Sequence, residues 1–284
     1  MPSRREFLRR AAVAIAVTTA IGAGALVWSS TLIGEYSVME MGDGGGGGHG
    51  SHGMTGGGAD EASAAADGVG EISVTSLIAD PDRPADVTVE LVARQQRIDI
   101  PGGNAVEGYT VNGTSPGPEI RVQQGDLIEV EFVNASVTDG ATLHWHGIDV
   151  PNADDGVAGI TQDAVPVGGH HIYRFVATDA GTYWYHSHQV SHVQVEGGLL
   201  GAIVIEPAGA ATRDVTALLH VYDAQHTLNG RLGDERVGVT PGSTVRVRVI
   251  NTDQGTAAVW SAASFRVLAT DGHEVNRPIA RTST

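Results

Sequence analysis

The sequence has no cysteine and no lysine. Without cysteine there is no disulfide and no thiolate-ligated metal site. All 17 basic residues are arginine and face 33 acidic ones, for a formal charge of -16. Phosphate binding needs a basic face, so this balance argues against nucleic acid as a partner. It favours solubility and, weakly, cationic partners. What the chain does have is length and apolar content: 284 residues, 41% of them hydrophobic, enough for about two packed domains.

The N-terminus reads as an export segment. Ser3-Arg4-Arg5-Glu6-Phe7-Leu8-Arg9 resembles the twin-arginine signal, and a small-residue apolar run follows from Ala11 to Val27. Ala23-Gly24-Ala25 is a candidate cleavage site. Ala11 to Ile33 is also long enough to stay as a membrane anchor, and both outcomes stand. Either implies an exported, extracytoplasmic protein. Residues 35–70 form a Gly-rich linker holding Met39, Met41, His49, His52 and Met54. Such composition holds no packed core and is expected to be disordered, though thioether and imidazole also suit copper.

From Val87 onward the chain breaks into short alternating runs separated by Gly, Pro and Asn, the pattern of an all-β sandwich. It also repeats. Asn112-Gly113 recurs as Asn229-Gly230, Gly125 as Gly242 and Asn134 as Asn251, each at an offset of 117 positions. Val122 to Asn134 matches Val239 to Asn251 in register and alternation. Two sandwich domains of one kind are expected. The first copy runs to about Pro207, so a full second copy would run to about residue 324, and roughly 40 residues of it are expected to be missing. An open edge would result.

Two His-x-His pairs carry the chemistry: His144-Trp145-His146 and His186-Ser187-His188. On a strand, positions i and i+2 share a face, so each pair presents two imidazoles while Trp145 or Ser187 turns away. Two such strands side by side would converge four imidazoles, which suits copper or zinc; spacing alone leaves both open.

Family resemblance narrows this. His-Trp-His-Gly at 144–147 and Trp-Tyr-His-Ser-His at 184–188 resemble the first two copper motifs of the multicopper oxidases, in their laccase-like, three-domain form. The likeness extends through Asn112-Gly113-Thr114-Ser115-Pro116-Gly117-Pro118, Gln162-Asp163 and Gly197-Gly198-Leu199-Leu200-Gly201. It covers most of residues 87–207 and continues more weakly from Thr212. The implied fold is tandem cupredoxin-like Greek-key β-sandwiches. Residues 71–209 would form the first domain and 210–284 a second, incomplete one, after a signal or anchor at 1–34 and the linker at 35–70. The implied cofactor is a trinuclear copper cluster, with His144 on the type 2 copper and His146, His186 and His188 on the type 3 pair. In the family, four more histidines come from the last domain. That domain also holds a type 1 copper with its Cys, where an electron donor delivers electrons that reduce O2 to water.

This sequence departs from that pattern. It has no Cys for a type 1 site. His220, His226 and His273 are isolated, and His170-His171 are adjacent. The repeat offset carries positions 144 and 146 to Ser261 and Ala263, which cannot ligate as imidazoles do. Compact two-domain laccases of similar length would need both the Cys and the missing histidines. The expectation is the copper-binding N-terminal part of an exported oxidase, inactive alone, with a non-catalytic copper-buffering module as the alternative. His192 either lines the cluster or lies on the surface. Asp154, Asp155 and Asp163 fall in the loop after the first pair. Asp163, beside Gln162, is the candidate for proton supply to reduced oxygen, against a plain role as a turn acid.

Overall fold

The computed structural model describes residues 73–208 and 214–281. The export segment at 1–34, the linker at 35–70 and the proposed domain junction near 209 lie outside the described residues. Among the described residues no helix is long and apolar enough to cross a membrane.

The first unit is a sandwich of two four-stranded sheets. One has the order β2 (Val106–Val111), β1 (Val87–Ile98), β4 (Leu127–Asn134), β6 (His170–Val176). The other has the order β3 (Ile120–Gln123), β8 (Leu200–Glu206), β7 (Gly181–His186), β5 (His144–His146). Alternation sets the inner face. Along β4, Val130 and Phe132 enter the core while Glu131 is exposed. Trp145 is wholly buried at the centre of the core, with its ring 4.7 Å from Phe175 and 5.5 Å from Tyr173. A short helix, α1 (Ser191–Glu196), links β7 to β8.

Strand β8 breaks the alternation, being buried along nearly its whole length. One face, through Ile203 and Ile205, joins the main core. The other, through Leu200 and Ala202, packs on Leu218 and Ile250 of the second unit. A strand covered on both sides reads as a continuous apolar run.

From Asp214 on, one three-stranded part of the first unit recurs. β10 (Gln225–Leu228), β9 (Asp214–Tyr222) and β11 (Arg246–Asn251) form a sheet in that order. β9 is antiparallel to β10 and parallel to β11, as β1 is to β2 and β4. Asn112 and Asn229 do the same work in each copy, both at positive φ. Each side-chain carbonyl accepts a backbone N–H, from Val92 or Leu218, and each amide donates to the carbonyl two residues earlier, of Glu90 or Thr216. The offset of 117 holds across these turns, but the hairpin arms differ: the bonded residues Val92 and Asn112 are 20 apart, whereas Leu218 and Asn229 are 11 apart.

β12 (Phe265–Thr270) and β13 (His273–Arg281) form a separate hairpin. Where β4 has β6 on its far side, no strand among the described residues pairs with that edge of β11. Val247 is 58% exposed, while its counterpart Val130 is fully buried.

Candidate metal centre

Register between two short strands builds the site. β5 and β7 are antiparallel, with His144 opposite His186, Trp145 opposite Tyr185 and His146 opposite Trp184. The side chains of Trp145 and Tyr185 go to the core, so the histidines take the other face. The ring of Trp184 lies 4.2 Å from that of His186 and 5.0 Å from that of His146, walling one side.

β7 ends at His186, so the second pair does not stay on a strand as the alternation predicts. Ser187 turns into the protein, wholly buried, and its hydroxyl donates to Gln194 Oε1 at 2.5 Å. His188 leaves the sheet, its backbone N–H donating to the Thr142 hydroxyl at 3.3 Å. Even so, its ring comes within 5.4 Å of His144 and 6.3 Å of His186. The tightest grouping is His144, His146 and His186, whose ligating nitrogens all lie within 4.8 Å of one another.

The tautomers follow from fixed acceptors. A carbonyl oxygen only accepts, so His144 Nδ1–H donates to Asp155 O at 2.8 Å, and His186 Nδ1–H donates to Ser187 O at 2.8 Å. Nε2 of each ring therefore carries the lone pair that a metal would take, in His186 in exchange for its contact with His146. His146 presents Nδ1, 3.3 Å from His186 Nε2. Burial, with the neighbouring histidines adding to it, pushes His186 down to about 3, against the opposing bond to Ser187 O. Burial first and the His144 charge second also lower His146 and His188. These three rings are neutral at pH 7, the state in which imidazole binds metal. Neutral imidazoles with converging lone pairs fit copper.

Asp155 touches the cluster at His144. Besides its carbonyl, its Oδ1 lies 3.1 Å from His144 Nδ1. Gly156, at φ 73°, folds that loop back so tightly that a Cβ there would sit 1.7 Å from Leu143 O. Asp163 is exposed, and its backbone carbonyl accepts from the Gln162 amide. Both acids lie in one loop, and the Gln162-Asp163 resemblance points to Asp163; the signal for Asp155 is Asp155-Gly156, since a glycine after an acid marks a turn. Asp154 is buried, and Arg174 N donates to its carboxylate at 2.7 Å. Of the other histidines, His192, His170, His226 and His273 are exposed, and His220 is buried between the two units.

Residues 92–210 match the multicopper oxidase family model. These residues are a multicopper oxidase domain. Among curated relatives, Laccase-1 of Botryotinia fuckeliana is 34% identical over 192 residues, which are 56% of this chain and 34% of that protein. The L-ascorbate oxidase of Cucumis sativus is 44% identical over 100 residues, 34% of this chain and 16% of that protein. Among solved structures, a multi-copper oxidase from Pseudomonas thermotolerans aligns with a TM-score of 0.62 at 29% identity, covering 69% of this chain and 54% of that one. The sandwich is thus of the cupredoxin kind found in multicopper oxidases, a family that takes copper. The chain spans only 34% and 16% of the two curated multicopper oxidase relatives it matches here.

Proposed function

We propose that residues 71–209 supply half of the ligands of a trinuclear copper cluster in an exported multicopper oxidase. His144 ligates the type 2 copper, and His146, His186 and His188 ligate the type 3 pair. The observation that carries this reading is the pairing of His144 with His186 across β5 and β7, with His146 beside them and three ligating nitrogens within 4.8 Å. Copper, when bound, would supply the redox chemistry that couples one-electron oxidation of a donor to reduction of O2 to water. The residues present hold and orient it: carbonyls of Asp155 and Ser187 set the tautomers, and Trp184 excludes water from one side. Asp155, touching His144, is better placed than Asp163 to hand on protons. Residues 1–34 direct export and either leave as a signal or remain as an anchor.

The sequence holds no Cys, and among the described residues these four are the histidines that cluster, so these residues by themselves would bind copper without turnover. That favours, for these residues alone, the second reading of a copper-buffering module. Titration with Cu(II), followed by electron paramagnetic resonance, tests the site. Binding is expected in the parent chain, with no blue absorption band, and a loss of at least about tenfold in affinity in His144→Ala and His186→Ala. Equal binding by the parent and both variants would overturn the assignment. Oxygen uptake with a phenol or Cu(I) would sink the binding-only reading.

A further inference from the structure

His220 is not a ligand, yet it is only 1% exposed and carries hydrogen bonds on both ring nitrogens. Nδ1 lies 2.8 Å from the Thr252 hydroxyl, and Nε2–H donates to the Glu196 carbonyl at 3.2 Å. Glu196 is the last residue of α1, in the first unit. Two residues along β9, Tyr222 is buried on the same face, as alternation requires. The Ser115 hydroxyl gives its one proton to Gly198 O at 2.6 Å, so the Tyr222 hydroxyl donates to Ser115 Oγ, also at 2.6 Å. One face of β9 therefore grips the turn after α1 at Glu196 and at Gly198.

That turn has no slack. Gly198 sits at φ 101°, and a Cβ there would lie 2.3 Å from Ser115 Oγ and 2.9 Å from Tyr222 Cε1. From the turn, rigid links run to the metal-facing histidines. Leu199 N–H donates to Gln194 O at 2.8 Å, and Ser187 N–H donates to Leu199 O at 3.1 Å. The Ser187 hydroxyl donates to Gln194 Oε1, whose amide donates to Gly140 O at 2.9 Å. Ser187 stands between His186 and His188, so residues 194–199 set where both imidazoles sit.

We propose that His220 is a positioning residue of the metal centre: through Glu196 it holds the turn after α1, and through that turn the His186-Ser187-His188 segment, in ligating geometry. The second unit thus shapes a copper site in which none of its described residues groups with the histidines. This rests on the reading that these histidines bind copper. Hydrogen-bonded partners one step beyond the ligands tune metal affinity when they fix ring orientation.

The test uses the full chain with His220→Ala, His220→Gln and His220→Leu. Two readouts are taken: Cu(II) affinity with copper hyperfine splitting, and hydrogen exchange of the Ser187 amide in metal-free protein. His220→Ala is expected to weaken Cu(II) binding about tenfold, shift the hyperfine splitting and speed Ser187 exchange. His220→Gln keeps an amide N–H that reaches Glu196 O and is expected to restore all three. A residue that merely cemented the interface would lower the melting temperature alone; that result in His220→Ala overturns the proposal. Should His220→Ala fail to fold, His220→Leu, which fills the same space without an N–H for Glu196 O, carries the same test, and unchanged readouts there overturn it. Should the parent chain bind no copper, the metal-centre reading fails by itself. Ser187 exchange then decides the present inference: faster in His220→Ala supports it, unchanged sinks it.

Discussion

At Asp154, burial and hydrogen bonding oppose each other. Burial raises its pKa to about 6, while the Arg174 backbone N–H and guanidinium pull the other way. The unfolded value is near 3.8, so the folded state holds the proton more tightly. Stability from this group is present at low pH and is lost as pH rises from about 4 to about 6. Over two pH units that is on the order of 3 kcal/mol. Asp154→Asn keeps an acceptor for Arg174 N and cannot ionise. Urea unfolding between pH 4 and 7 is expected to show the variant gaining on the parent as pH rises; parallel curves would contradict the assignment. Asp155 and Asp163 are equivalent as letters, and only the turn at Gly156 decides that Asp155 reaches His144.

The repeated element is the turn built on Asn112 and Asn229. Its asparagine combines a positive φ with a carbonyl acceptor and an amide donor aimed at the neighbouring strand. Asn112→Ala removes both side-chain bonds and leaves a Cβ in the left-handed region, and is expected to cost about 2–3 kcal/mol. Asn112→Gly loses the same bonds without the steric penalty, so it is expected to be less destabilised by about 1 kcal/mol. Chemical denaturation of both variants checks this; equal losses would place the whole effect in the hydrogen bonds. The turn was legible because identical backbone demands select identical residues. The nine-residue difference between the two hairpin arms was not, because arm length is free to vary while the turn and the strand pairing are kept. In the same way, the two His-x-His pairs read as strand residues, and β5 obeys while β7 stops at His186. Its next residue is drawn inward by Gln194, a partner distant in the alternation pattern.

Across the molecule, the two units are tied by apolar contact under β8 and by a charge network at its end. Arg121 reaches Glu119, Glu206 and Asp214, and Asp214 also accepts from Arg248 at 2.7 Å. Burial alone would raise Asp214, but the Arg248 and Arg121 hydrogen bonds overcome it and hold the carboxyl below the usual range. Asp214→Asn leaves Arg248, with its side chain 6% exposed, without its charge partner. Removing one partner of a buried pair is expected to cost about 3 kcal/mol, read as a lower thermal midpoint. An unchanged midpoint would show the network to be idle.

The sequence by itself determined the all-β class, the recurring Asn-Gly turn and the presence of two His-x-His pairs. These depend on composition, on a period of two and on short motifs, all local properties of a chain. Tertiary structure alone decided which acid meets His144, that His188 stands off the sheet, and that His220 reaches across to α1. Each of those depends on where a loop or a second unit comes to rest, and that is set by packing between residues far apart in the chain.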